Sequence, residues 1–164
     1  MAAVNGAAMD AELLMSLHAL YCDYAAVLDS GDFTRWPDFF TEDCIYNLQS
    51  RENFDRGQPL ATLACESRGM LKDRVFGATD TIYHDPYYQR HIVGLPRLLS
   101  RAENGLRCEA SYVVIRTKRD AMPEILSVGR YLDLVVVTDE GLKFAQRVAV
   151  FDNDLIANSL IYPI

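Results

Sequence analysis

Four long strand-like segments crowd the second half of this chain, and they restrict its fold more than any other feature. His91 to Ser100, Leu106 to Lys118, Ile125 to Thr138 and Leu142 to Asp152 are rich in Val, Ile, Leu and Tyr, the residue types that pack best on a pleated surface. Compact turn signals separate them: Asn104-Gly105, Met122-Pro123 and Asp139-Glu140-Gly141. Asn-Gly is the strongest of these, because both residues tolerate the positive φ that tight hairpin turns need. Strands joined this way predict an antiparallel sheet. In the third segment Leu126, Val128, Leu132, Leu134 and Val136 share one parity while Gly129, Tyr131 and Asp133 take the other, so one face reads as apolar and the other as mixed.

The first half has a different period. From Asp10, a plausible N-cap, to Asp29, apolar residues recur at Leu13, Leu14, Leu17, Leu20, Tyr21, Tyr24, Ala25 and Leu28, the spacing of a helix with one buried face. Ser30-Gly31 ends it. Trp36 to Phe40 suggests a short second helix, Cys44 to Gln49 a strand, and Pro59 to Phe76 a third helix with Leu60, Leu63, Ala64, Met70, Leu71 and Val75 inward. Helices followed by a meander of strands define an α+β class. Residues 1–9 read as a flexible tail and 10–164 as one domain, with no internal repeat or linker.

Composition narrows the possible partners. The chain has 164 residues, half of them hydrophobic, and carries a net charge of −7 with no basic block, whereas nucleic-acid binding needs clustered Lys and Arg. No stretch approaches the roughly 20 apolar residues of a membrane-spanning helix, and the N-terminal tail lacks the basic region of a signal peptide, which predicts a cytoplasmic protein. Cys22, Cys44, Cys65 and Cys108 form no Cys-x-x-Cys pair and read as reduced thiols acting as small hydrophobes.

Few side chains are placed for chemistry. No Cys-x-His pair offers ligands to a Rieske cluster. A mononuclear iron site needs two histidines and a carboxylate on one face, and the local candidates His84, Asp85 and His91 lie in a segment broken by Pro86; the prediction is that the chain holds no metal and no cofactor. One acid–base constellation is open to it: Asp29 at the end of the first helix facing His91 at the start of a strand, with Tyr24, Tyr46 or Tyr112 orienting a carbonyl. The plainer alternative has Asp29 capping the following loop and His91 bonding across the helix–sheet seam.

Three stretches carry a resemblance: Leu28-Asp-Ser-Gly-Asp-Phe-Thr-Arg-Trp-Pro-Asp-Phe-Phe40, Tyr83-His-Asp-Pro-Tyr-Tyr-Gln-Arg-His-Ile-Val-Gly-Leu-Pro-Arg97 and Ile161-Tyr-Pro-Ile164. From about Leu13 onward the chain resembles the small (beta) subunits of Rieske-type aromatic-ring-hydroxylating oxygenases. Arg51-Glu-Asn-Phe54 and Asn158-Ser159 make it most similar to the small subunits of the salicylate 5-hydroxylase kind, with the terephthalate group sharing the Trp36-Pro37 and Arg90-His91 regions.

The resemblance implies a cystatin-like cone, with N-terminal helices packed on a curved, mainly antiparallel sheet. It implies a non-catalytic subunit joined to a catalytic alpha subunit in an α3β3 assembly, and a homotrimer when alone. The Rieske [2Fe-2S] cluster and the mononuclear iron would belong to the alpha subunit, with electrons from NADH arriving through a reductase and a ferredoxin. The substrate of such a complex would be salicylate or a related substituted benzoate. Tyr83, Tyr87, Tyr88, Arg90, Trp36 and Tyr162 then become candidate interface residues, being rigid aromatics and a bidentate donor of the kind that anchors interfaces; for Trp36, Phe39 and Phe40 the alternative is that they fill the core. A stand-alone dehydratase or isomerase of the same cone shape, using Asp29, His91 and Tyr24, is the competing reading.

Overall fold

The computed structural model describes residues 11–153 and 160–164. The N-terminal tail, the Asp10 cap and Asn158-Ser159 lie outside the described residues. Helix α1 runs Ala11–Ser30 and buries Leu17, Leu20, Tyr21, Tyr24, Ala25, Val27 and Leu28. It stops at Gly31, whose φ of +77° no β-carbon opposes and whose N–H reaches back to the Leu28 carbonyl at 3.2 Å.

A 3-10 segment, Phe33–Phe39, follows. Strand β1 begins at Phe40 and runs to Ser50, four residues earlier than the spacing of apolar residues suggested. The expected helix over Pro59 to Phe76 forms only in its second half. A short α2, Arg51–Asp55, and strand β2, Leu63–Cys65, precede α3, Arg68–Phe76. The reason is local: the Ser67 hydroxyl accepts the Met70 N–H at 3.2 Å and caps the helix there, while Leu63–Cys65 pairs with Leu48–Tyr46. Leu71 and Val75 face inward as expected, but Leu60 and Met70 are exposed.

The segment from His91 to Ser100 is two strands, not one. Strand β3 is Tyr87–Val93 and β4 is Arg97–Ala102. Pro96, which has no N–H for a ladder, sits in the break, and the Gly94 N–H turns aside to the Ser111 carbonyl at 2.8 Å. Both strands pair with one long partner, β5, Gly105–Lys118: β3 with its far end and β4 with its near end. Strands β6, Glu124–Thr138, and β7, Gly141–Phe151, complete a seven-stranded sheet of order β2-β1-β7-β6-β5-β3, with β4 also on β5. All pairings are antiparallel except β1 with β7.

The mixed face of β6 turns inward along its middle, although Leu126 and Leu134 of the apolar parity are buried as well. Tyr131 and Asp133 are buried while Val128, Leu132 and Val136 are only half-buried. The register shift at Val114/Ile115 gives β6 an extra residue, Leu126, and the one at Leu134/Val135 gives β7 an extra residue, Ala145; such insertions bend the strands, and Val135 continues the buried parity of Tyr131 and Asp133. The sheet curls round α1, the 3-10 segment and α3, as a cone. Its interior is an aromatic cluster in which Tyr24 stands edge-on to Phe40 and Phe144, and Tyr112 stacks on Tyr131 at 4.4 Å.

Candidate functional site

The interior of the cone is filled and carries a charge pair. Arg147 on β7 donates from Nε and Nη2 to the two carboxylate oxygens of Asp133 on β6, at 3.0 and 2.8 Å, and Tyr21 donates to the same carboxylate. Both charged side chains have no solvent exposure. Burial works against the guanidinium's charge, but the charge and hydrogen bonds of Asp133, with Tyr24 and Tyr21 adding to them, together hold Arg147 protonated well above its ordinary range. Phe144, Tyr131 and Tyr24 lie 3.8, 4.1 and 4.2 Å from its central carbon, a cation enclosed by ring faces. Arg147 Nη1 and the Tyr131 hydroxyl have no hydrogen-bond partner among the described residues.

Residues 160–164 enter this interior. The hydroxyls of Tyr24 and Tyr46 donate to the Ile164 carbonyl at 2.9 and 2.8 Å, and Trp36 Nε1 donates to Tyr24 Oη at 3.1 Å. Trp36 is therefore a core residue with no exposed surface, which removes it from the candidate interface residues; Phe40 is equally buried and Phe39 half-buried.

Asp29 and His91 do meet. His91 Nδ1 donates to Asp29 Oδ1 at 2.6 Å, and the His91 backbone N–H donates to the same carboxylate at 3.0 Å. That N–H lies on the side of β3 facing away from β5, so the Asp29 carboxylate covers the open edge of the sheet. The His91 side chain is fully enclosed, and its Nε2 has no partner among the described residues. Tyr24 and Tyr46 bind Ile164, and Tyr112 meets the Ser127 hydroxyl at 3.1 Å; none of these tyrosines is hydrogen-bonded to Asp29 or His91. The two residues act as a clasp between α1 and β3.

The other metal-site candidates point elsewhere. His84 contacts the Ile82 carbonyl and, through Nε2 at 2.7 Å, the Tyr162 hydroxyl. Asp85 pairs with Lys118 at 3.0 Å. No cluster of three His, Cys, Asp or Glu side chains able to hold an ion occurs among the described residues. On α1, one turn apart, Cys22 Sγ lies 3.6 Å from His18 Nε2.

The Tyr83 to Arg90 segment is half strand, at the edge of the sheet. Tyr87–Arg90 pairs with Lys118–Ile115, Gln89 points inward to the Leu28 and Pro163 carbonyls, and the Tyr87 ring packs tilted against Tyr162 at 4.5 Å. Tyr88 and Arg90 take the opposite parity and project outward, 81% exposed in the case of Tyr88. Tyr83 is entirely exposed. A cleft of about 470 Å³ opens between Tyr83, His84 and Tyr87 on one side and Arg116 and Lys118 on the other. A second, of about 340 Å³, lies between Asp29, Gln89 and the rings of Phe33, Tyr88 and Tyr162.

The residues that organise the interior were not apparent as a site in the sequence. Asp133 and Arg147 stand within β-rich runs, and only the strand register makes them opposite neighbours. The one signal was Asp133 interrupting an apolar strand beside Tyr131. Arg74, which binds the carbonyls of Leu160 and Ile161, left none.

A curved, mostly antiparallel sheet wrapped round α1, the 3-10 segment and α3 defines the cone-fold class. The sequence model of the ring hydroxylating beta subunit family matches residues 24–158, and the chain belongs to that family, whose members are beta subunits of multicomponent aromatic-ring-hydroxylating dioxygenases. It is 28% identical over 155 residues to the small subunit of anthranilate 1,2-dioxygenase from Burkholderia cepacia, covering 94% of this chain and 96% of the relative. It is also 28% identical to a terminal oxygenase beta subunit of terephthalate 1,2-dioxygenase from Comamonas sp., covering 92% and 97%. A solved beta subunit assigned to an aromatic-ring-hydroxylating dioxygenase of Novosphingobium aromaticivorans superposes with a TM-score of 0.83 at 30% identity, over 92% of this chain and 96% of that one. The α+β cone is that of these relatives, and the chain is a beta subunit of an aromatic-ring-hydroxylating oxygenase.

Proposed function

We propose that this chain is the scaffold of an oxygenase acting on salicylate or a related hydroxylated or amino-substituted benzoate. It joins catalytic alpha subunits in an α3β3 ring in the cytoplasm, and forms a homotrimer when alone. The Rieske cluster and mononuclear iron reside in the alpha subunit, and NADH supplies electrons through a reductase and a ferredoxin. The substrate class is supported by relatives named for anthranilate and terephthalate, both benzene carboxylates. The observation that carries the scaffold reading is the outer face of β3, where Tyr88 and Arg90 stand exposed beside Tyr83 on a strand whose inner side is fastened to α1. Rigid aromatic and arginine side chains on a braced element are what an interface uses as anchors; Tyr87 and Tyr162, half-buried and packed together, support them from behind.

The test is to purify the tagged chain from its host and record its partners and its visible absorbance. A stoichiometric larger subunit bearing iron and a Rieske-type spectrum, with turnover of salicylate or aminobenzoate, is the expected result. A colourless homo-oligomer with no larger partner overturns the reading, and would direct attention to Asp29 and His91 as an acid–base pair.

A further inference from the structure

The cleft of about 340 Å³ at the C-terminal end of α1 is built from acceptors and aromatic rings. Asp29 and Gln89 line it together with Phe33, Tyr87, Tyr88 and Tyr162, and among the described residues no lysine or arginine does. The nitrogens of its one imidazole, His84, are engaged by the Ile82 carbonyl and the Tyr162 hydroxyl.

Gln89 is 4% exposed, and its Nε2 faces the carbonyls of Leu28 and Pro163, both at 3.4 Å. That fixes the amide's orientation, because an oxygen in the same place would face two acceptors. Its Oε1 is buried without a partner among the described residues, and an acceptor in that state carries a desolvation cost that an incoming donor removes. Asp29 has room as well. Its Oδ1 takes the His91 ring N–H and the His91 backbone N–H is shared between both oxygens, so Oδ2 has beyond that only Arg90 at 3.6 Å. A carboxylate offers about four acceptor positions.

Two of the lining residues already attract guanidinium groups from outside the cleft. Arg90, with a side chain 73% exposed, leans on Asp29, and the central carbon of Arg116 lies 5.6 Å from the centre of the Tyr87 ring, within cation–π reach. Neither arginine lines the cleft. We propose that the cleft is a socket for an arginine side chain of the catalytic subunit, its guanidinium binding Asp29 and Gln89 and lying against the rings. The proposal rests on the scaffold reading above and continues the same face, since Tyr88 is both an exposed side chain of β3 and a wall of the cleft. Arginine suits the place better than lysine, because its planar group packs on aromatic faces and spreads its donors over two separate acceptors. Arginine is also a residue type on which binding energy concentrates when it is seated in a pocket.

Thr79, an exposed lining residue, gives a test that leaves Asp29 and Gln89 in place. Thr79→Lys puts a competing ammonium at the cleft, and Thr79→Gln puts a neutral side chain of comparable reach there. In sedimentation of the mixed subunits, Thr79→Lys should weaken association with the catalytic subunit by about tenfold or more and Thr79→Gln by about twofold at most. Both variants should melt close to the parent. Equal association of the two variants overturns the proposal. A parent chain that joins no catalytic subunit fails the scaffold reading instead; in that case, or if Thr79→Lys does not fold, the parent chain alone decides the socket. Nα-acetyl-L-argininamide should then shift the Gln89 side-chain amide resonance saturably, while the uncharged Nα-acetyl-L-citrullinamide leaves it in place. An absent shift, or an equal one with the citrulline compound, overturns the proposal.

Discussion

Asp133 and Arg147 face each other across β6 and β7 and form a two-point ion pair with neither side chain reaching solvent. A pair of this kind is costly to desolvate as a whole, but more costly to break on one side, because the survivor is then a buried charge without compensation. Asp133→Asn should destabilise the fold by about 3–5 kcal/mol, read as a drop in the urea midpoint. Replacing both residues with apolar ones of similar volume should cost much less, and a double replacement as damaging as the single one would refute the account.

The clasp between Asp29 and His91 makes a more local prediction. Asp29→Ala leaves the His91 backbone N–H and ring nitrogen without their acceptor, at a cost of about 1–3 kcal/mol. Amide exchange at His91 should accelerate far more than exchange in the central strands β6 and β7. Uniform acceleration across the sheet would show that the carboxylate does not act on the β3 edge.

Two glycines should respond very differently to alanine. A β-carbon on Gly129 would lie 2.0 Å from the Val150 carbonyl oxygen and 2.9 Å from Phe151 Cα, and strand backbone cannot give way as a side chain can. Gly129→Ala should reach or exceed the upper end of the roughly 1–3 kcal/mol typical of overpacked cores. Gly31 has φ +77° but open space around it, so Gly31→Ala should cost only the left-handed backbone penalty of about 1–2 kcal/mol. Thermal unfolding of the two variants distinguishes them.

The thiols divide by burial. Cys22 is exposed, and Cys44, Cys65 and Cys108 are buried; a thiol reagent at neutral to mildly alkaline pH should modify Cys22 quickly and the others only on unfolding. Burial pushes Cys44 up to about 11 and Cys108, with Asp133 adding to the effect, up to about 12, from an ordinary 9.0. The folded state therefore keeps protons that the unfolded chain gives up. Stability from this source is intact below pH 9 and declines as pH rises toward 11 and 12. A urea midpoint that rises over that interval would contradict the assignment.

On the outer face of β3, Tyr88→Ala with Arg90→Ala should weaken association with the catalytic subunit by at least tenfold, about 1.4 kcal/mol, while circular dichroism and melting stay close to those of the parent. Analytical ultracentrifugation of the mixed subunits reads the effect. Unchanged assembly removes this face from the interface.

Periodicity alone established helix α1, the strands β5, β6 and β7, and the α+β order, because each depends on near neighbours: a 3.6-residue stripe, alternating β-formers and turn residues that accept positive φ. The resemblance supplied the cone. What local pattern did not decide is instructive. Pro59 to Phe76 contains good helix formers, yet Leu63–Cys65 is recruited as a strand because β1 offers it a free edge. The apolar parity of β6 did not show which face turns inward, since Asp133 belongs to a buried charge pair and the extra residue at Leu126 shifts the buried parity near the start of the strand. Trp36 looked equally suited to surface or core until Tyr24 gave its ring nitrogen a buried partner. By itself the sequence determined which segments are helical or extended and which family the chain resembles. Only the tertiary structure decided which faces turn inward, that Arg147 meets Asp133, and that Ile164 fills the cone, because those outcomes depend on register and on contacts between residues up to 140 positions apart, which no local pattern encodes.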